Sequence, residues 1–215
     1  MKPQIFCFWT GDNPMSEIRK ECLASMANTT ESQIILVTPE TLPRYILKEH
    51  PLHPAYPYLS AVHRADYLRA YFMHFYGGGY ADIKHQMGSW RHAFETFSMF
   101  KWVYGYHEIG QSAVCGPPDV QSRWKQTIGL CAFICRPNTP LTRDWFLAVN
   151  SVLDRKFAEL QLHPATNPRD HSGLGTGYPL AWSELLGQIL HPLLDKYLPY
   201  VAQRLPRPYF EKEYL

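Results

Sequence analysis

HRADYLRAYFMHFYGGGYADIK, His63 to Lys84, is the stretch from which the fold can be read. Its periodicity predicts a helix from about Ser60 to Tyr76. Ala61, Ala65, Leu68, Phe72 and Phe75 fall on one stripe at three- and four-residue steps. At about 100° per residue, Asp66 and Arg69 lie on the flank of that stripe, with Met73 between them. His63, Tyr67, Ala70 and His74 form the far face, expected to be wet. Gly77 is a natural helix terminator. Tyr80–Lys84 then reads as a short strand, and the two-residue repeat of side chains puts Asp82 and Lys84 on one side of it.

Taken singly, these features are ordinary. An Asp and an Arg three apart on a helix are usually a surface ion pair, and three glycines usually mean a turn. Their order carries more weight. Two charges beside packed aromatics need partners or a ligand. Gly77, Gly78 and Gly79 permit positive φ and a close approach of backbone to a ligand. A carboxylate such as Asp82 at a strand end reaches a metal or a sugar hydroxyl, and Lys84 beside it balances an anion.

Outward from this stretch, the chain alternates. Gln4–Trp9 is a buried strand closed by Thr10-Gly11-Asp12-Asn13-Pro14, and a helix follows from Pro14 to about Ala27. Gln33–Thr38 is an uninterrupted β-branched strand, followed by a predicted helix over roughly Glu40–His50 and a Pro-rich loop, Pro51–Ser60. Beyond Lys84 the pattern predicts a helix over Ser89–Phe100 and strands over Lys101–Tyr106 and Thr127–Cys135. A long helix follows over Thr139–Leu160, then a loop over His163–Gly177 and a final helix or broken pair over Pro179–Leu198. The tail from Pro199 reads as peripheral. Such alternation predicts an α/β fold: a mostly parallel, Rossmann-type sheet flanked by helices, in one domain over 1–215. Ligands of such sheets bind beyond the carboxyl ends of the strands, where Trp9 lies.

Composition narrows the function. With 46% apolar and 19% charged residues over 215 positions, the chain can bury a core, which excludes wholesale disorder. A net charge of +2, with no basic run, excludes a nucleic-acid footprint. Five Cys residues without a CxxC pair or zinc spacing read as reduced, buried thiols of a cytosolic protein. The N-terminus lacks the pattern of a signal peptide, and no apolar run is long enough to span a membrane, so the expected location is cytoplasmic, with at most peripheral membrane contact.

Ala65-Asp66-Tyr67-Leu68-Arg69, followed by Gly78-Gly79-Tyr80-Ala81-Asp82-Ile83-Lys84, resembles the S/A-D-x-x-R, G-G-x-Y and D-x-D pattern of GT-A-fold glycosyltransferases. The likeness is to the sugar-transferase group that includes mannosyltransferases, capsular polysaccharide synthesis proteins and glucosylating toxins. It is specific over about 22 residues and extends more weakly to Trp9 and to Gly129–Pro140. It implies a donor half over 1–110 and an acceptor half over 111–215. It implies a UDP- or GDP-sugar donor and a carbohydrate or glycolipid acceptor, with the anomeric configuration retained and a bacterial surface or capsular polysaccharide as destination. By position, Trp9 stacks on the base, Asp66 holds a sugar hydroxyl, Arg69 contacts the sugar or diphosphate, and Tyr80 packs near the donor alongside Gly78 and Gly79. Asp82 is the first carboxylate of the D-x-D, which in such enzymes holds Mn2+ or Mg2+ on the diphosphate.

Here the second carboxylate is Lys84, and protonated lysine ligates no cation. Three readings follow. The Lys84 ammonium replaces the metal, Asp82 binds a metal weakly with help from His171, or activity is lost and a silent sugar-nucleotide-binding protein of a synthesis complex remains. Elsewhere, Glu184 and Asp170 are candidates for orienting an acceptor, and Trp182 for lining its site, although a plain helix carboxylate and a core tryptophan are the simpler readings. Gly173, Gly175 and Gly177 follow no strand and precede no Walker lysine, so the 163–177 loop reads as a mobile lid, not a P-loop.

Overall fold

The computed structural model describes residues 2–97 and 99–210. Six strands form one sheet: β1 Gln4–Phe8, β2 Gln33–Val37, β3 Gly78–Ala81, β4 Val103–His107, β5 Ile128–Cys135 and β6 Val201–Gln203. Their order is β2-β1-β3-β5-β4-β6. β1 pairs in parallel with β2 and β3, and β4 with β6, while β5 runs antiparallel to both β3 and β4. The sheet is therefore mixed, and its helices are α1 Glu17–Thr30, α2 Ala61–Phe75, α3 Arg91–Glu95, α4 Pro118–Ser122, α5 Pro140–Leu162 and α6 Gly187–Lys196.

Alternation along the strands builds two cores. Phe6, Phe8 and Tyr80 point to the face covered by α2, α5 and α6. Ile5, Cys7 and Ala81 point to the other face, where Cys22 and Met26 of α1 and Ala93 of α3 close over them. Side-chain caps start the main helices: Ser60 accepts the His63 N–H for α2, and Thr139 with Thr142 forms a reciprocal capping box for α5.

The helical stripe placed Asp66 and Arg69 beside the core, and there they are. The far face is not wet, however. His63, Tyr67 and Ala70 are buried, as are Tyr71 and Phe72. The sheet covers α2 on one side and α5 on another. The 47–53 segment is tied across it, because Tyr67 Oη accepts the His53 N–H at 3.0 Å and Tyr71 Oη accepts the Leu47 N–H at 2.9 Å. Tyr71 Oη in turn donates to His50 O at 2.7 Å. These bonds satisfy backbone that a helix over 40–50 would have satisfied itself, and only a 3-10 turn, Leu42–Tyr45, forms there.

Other boundaries also move. The strand read as Tyr80–Lys84 is Gly78–Ala81, because the chain turns at Asp82, where the Lys84 N–H closes on Asp82 O at 2.8 Å. The helix read over 89–100 shortens to α3, and Ser98 lies outside the described residues. The last helix begins at Gly187 and carries Pro192 inside it. The tail is not peripheral: it adds β6, and Tyr209 N–H then donates to His85 O at 2.9 Å.

The glycine triplet serves packing. Gly77 and Gly78 hold φ of +65° and +80° at the turn out of α2. A Cβ on Gly79 would stand 2.9 Å from Ile5 and 3.1 Å from Trp90. Gly79→Ala is expected to destabilise the protein by about 1–3 kcal/mol in urea unfolding through overpacking. Gly110→Ala, at extended φ with open space around it, is expected to stabilise the protein slightly, by about 0.4–1 kcal/mol, through the lost freedom of the unfolded chain.

Candidate active site

The carboxyl ends of β1, β3 and β4 share one edge of the sheet with the start of β5. At this edge β5 is irregular. Gly105 faces Phe133 and His107 faces Ile128, so a step of two residues on β4 spans five on β5. Such bulges turn backbone groups out of the ladder. Here Leu130 O accepts from Arg69 Nη1 at 3.3 Å, while Cys131 O continues the β3–β5 register by accepting the Asp82 N–H at 2.8 Å.

Four charged side chains and a tyrosine meet at this point. Arg69, from α2, places Nη2 3.1 Å from Asp82 Oδ1 and 3.6 Å from Asp66 Oδ1. Lys84 Nζ lies 3.2 Å from Asp82 Oδ2. Tyr80 Oη donates to Asp82 Oδ1 at 2.6 Å, and the Arg69 guanidinium lies 4.4 Å from the Tyr80 ring centroid. Lys84 also reaches Cys131 Sγ at 3.5 Å and lies 5.0 Å from the Phe210 ring, so the tail covers it. Asp82 and Lys84 do share one side, as read, but through a tight turn and not through strand alternation.

Electrostatics separates the two aspartates. Burial works to raise the Asp82 carboxyl, but Arg69, Lys84 and the Tyr80 hydroxyl outweigh it and hold the group at about 2. Asp66 is 3% exposed, and burial pushes its carboxyl up to about 6 against the pull of Arg69. Its carboxylate has no hydrogen bond among the described residues; Arg69 at 3.6 Å is an ion-pair neighbour only. Arg69 Nε is likewise buried without a partner. Burial opposes the charge on Arg69 and Lys84, yet both are held more strongly protonated than usual, Arg69 by Tyr80 and Asp82 and Lys84 by Asp82.

The remaining predicted residues lie apart from this ring. Trp9 follows β1 and packs on the opposite core face, with its indole N–H donated to Asn13 O at 2.9 Å. The space in front of Gly78 is taken by Gln4 O, 3.1 Å from where a Cβ would stand. Glu184 Oε2 accepts the Ala181 N–H at 2.8 Å, a local turn bond. His171 accepts the Gly173 N–H at 3.1 Å and meets Trp182 edge-on at 5.5 Å, and none of Asp82's contacts is with it. Asp170 is fully buried inside the 163–177 loop, where Thr166 and Thr176 donate to it. That loop, read as a mobile lid, is anchored: Ala165 N–H bonds Tyr58 O and Val62 N–H bonds Pro168 O. Its 165–168 segment, Asp12, Asn13 and Arg64 line a cleft beside the end of β1.

Manganese or magnesium needs carboxylate oxygens with open lone pairs and further ligands. Both Asp82 oxygens already face cations, and no three His, Cys, Asp or Glu side chains among the described residues are grouped to hold an ion. These residues do not fit a divalent cation.

Sequence reasoning missed Leu130 O, Cys131, Arg64 and Phe210. The first two depend on the pairing of β5 with strands distant in sequence, and Phe210 on the path of the tail. Arg64 lies within the central stretch, one turn before Leu68, and its place beside the stripe was the signal available.

The fold is α/β and GT-A-like. The solved structure of PaToxG Glycosyltransferase is similar to this chain, with a TM-score of 0.53 and 12% identity over 92% of this chain and 70% of that one. At that identity the likeness is one of fold. No family model matches the chain, and no curated protein matches it.

Asp66 is expected to oppose stability at neutral pH. The folded protein keeps its proton up to about 6 while the unfolded chain loses it near 3.8. The contribution is full below pH 3.8 and lost as pH rises through 6. Asp66→Asn should therefore stabilise the protein by about 1–3 kcal/mol in urea unfolding at pH 7.5, with the gain fading toward pH 4. A destabilised variant at pH 7.5 would contradict this.

Proposed function

We propose that the chain transfers a sugar from a nucleotide-sugar donor to a hydroxyl of a carbohydrate or glycolipid acceptor. The observation that carries this reading is the buried Asp66–Arg69–Asp82–Lys84 ring, set at the strand-end edge of a GT-A-like sheet. Asp66 is a buried carboxylate short of donors, and a sugar hydroxyl is such a donor. Arg69 and Lys84 are the cations for a diphosphate, in place of the metal. Asp82 fixes both of them, and Tyr80 fixes Asp82. The cleft lined by Asp12, Asn13 and Arg64 receives the nucleoside.

In the reaction, the acceptor oxygen bonds to the anomeric carbon as the bond from that carbon to the diphosphate oxygen breaks. The nucleoside diphosphate leaves with the electron pair, and its charge develops beside Lys84 and Arg69. Glu184 is proposed to orient the acceptor, whose proton passes to the departing diphosphate oxygen on the same face of the sugar. A UDP- or GDP-linked donor, retention of configuration and a bacterial surface or capsular polysaccharide as destination follow from the motif resemblance alone. No helix among the described residues is long and apolar enough to cross a membrane.

One observation favours a second reading, a silent sugar-nucleotide-binding protein: the Asp82 carboxylate is already saturated by protein groups. Release of free nucleoside diphosphate from a panel of UDP- and GDP-sugars separates the two. Turnover by the wild-type protein, lowered at least a hundredfold in a folded Asp82→Asn variant, is the expected result. Donor binding without turnover supports the second reading. Wild-type rates in Asp82→Asn would remove the site from the mechanism, and absence of nucleotide binding would remove both readings.

A further inference from the structure

The 163–177 loop carries a second recess, apart from the cleft given to the nucleoside. Arg169, His171, Leu174 and Trp182 line a pocket of about 330 Å³. That is the small end of the range for small-molecule sites, and it fits a single sugar ring. The buried Asp170 builds it. Asp170 turns inward, where Thr166 and Thr176 donate to it, and its neighbours Arg169 and His171 are left toward the recess. Ser172 N–H donates to Leu180 O at 2.8 Å and ties the loop to the segment that carries Trp182. The recess is therefore preformed, and a ligand need not order it.

Its chemistry is one-sided. Trp182 is large and apolar, yet 45% exposed. His171 meets its ring edge-on at 5.5 Å between centroids, and the Arg169 guanidinium lies 5.5 Å from the ring centroid. Flush packing of heavy atoms is closer, at about 3.5–4.0 Å, so neither group seals the ring face. His171 Nδ1 accepts the Gly173 N–H at 3.1 Å, which leaves the proton of the neutral ring on Nε2 as a donor. Among the described residues the Arg169 guanidinium pairs with no carboxylate, and neither His171 Nε2 nor the Trp182 indole N–H has a hydrogen-bond partner. Every polar side-chain group of the recess is a donor, and none is an acceptor.

A ligand matched to these groups lays an apolar face on Trp182 and Leu174 and offers acceptor oxygens to Arg169 and His171. A carboxylate meets a guanidinium best, through two parallel hydrogen bonds. A sugar ring has the apolar C–H face, and a uronic acid adds the carboxylate. A neutral sugar in its place would bring a hydroxymethyl group, whose O–H finds no side-chain acceptor here and whose oxygen leaves the Arg169 charge unmatched.

We infer that this recess binds an anionic sugar ring of the uronic acid type and is the acceptor subsite of the proposed transfer. Its place in the fold supports that role. Ala181 O, one residue before Trp182, holds His63 Nε2 at 3.0 Å, one turn of α2 before Asp66. The 165–168 segment, just before Arg169, lines the nucleoside cleft. One loop thus borders the nucleoside with one part and the acceptor with the next. The acceptor role rests on the transfer reading; the binding of the sugar does not.

Saturation-transfer NMR titrations of the full chain test this with the methyl glycosides of glucuronic and galacturonic acid, against those of glucose and galactose, and with acetate as a bare anion. At least one uronide is expected to bind fivefold or more tightly than its neutral counterpart, with saturation on its ring C–H protons. Trp182→Ala should weaken that uronide at least fivefold, and Arg169→Gln should bring it to the level of the neutral sugar. Both positions are exposed, and thermal unfolding checks that both variants fold. Equal binding of uronide and neutral sugar, displacement by acetate at equal concentration, or affinity unchanged in both variants would overturn the proposal. Nucleotide titrations on the same sample separate it from the transfer reading. Nucleotide binding without uronide binding overturns this site alone, and uronide binding without nucleotide binding supports the sugar site and overturns its acceptor role.

Discussion

The Asp82 carboxylate, held between the Arg69 guanidinium and the Lys84 ammonium, is the interaction on which the strand-end edge depends. A carboxylate buried there alone would be untenable, and either cation alone would be too. Together with the Tyr80 hydroxyl they form a closed set in which every Asp82 oxygen is met. The backbone is arranged around that set. The β5 bulge turns Leu130 O to Arg69, the chain reverses at Asp82 to bring Lys84 back, and α2 is buried on nearly all sides so that Arg69 cannot swing out. Removing one member of such a group leaves an uncompensated charge, at a cost of about 3–5 kcal/mol.

Asp66 stands in the same place without such compensation. Asp82 is stabilised as an anion, and its contribution to stability is lost as pH falls from 3.8 through about 2. Asp66 has the opposite sign. A buried carboxylate that is poorly hydrogen-bonded and destabilising at neutral pH is a mark of a site kept for binding rather than for the fold. His63, one turn earlier, is a structural counterpart. Burial lowers it to about 4, and Tyr178 and Ala181 take its ring nitrogens, which pins the 178–181 segment on α2.

Much of this was legible in the sequence because it is local. The helix and the glycine turn of His63–Lys84 depend on spacing alone, and the flank position of Asp66 and Arg69 followed from helical geometry. The apolar strands β1, β2 and β5 and the long helix α5 were equally plain. What was not legible depends on distant partners. Tyr67 and His63 looked wet because α5 and the 178–181 segment, which bury them, lie more than 70 residues on. Residues 40–50 looked helical because their backbone bonds to Tyr71 could not be seen. The antiparallel placing of β5, and with it Leu130 O and Cys131 at the site, has no signature in the strand itself.

The central claim is that Lys84 and Arg69 do the work of a divalent cation. Calorimetric titration of UDP and GDP into EDTA-treated protein tests it most directly, with wild type and Lys84→Met compared. The account predicts that one of the two nucleotides binds the wild-type protein in EDTA, that manganese tightens it less than twofold, and that Lys84→Met loses at least tenfold in affinity. Binding that appears only on addition of manganese, or that is unchanged in Lys84→Met, would contradict it.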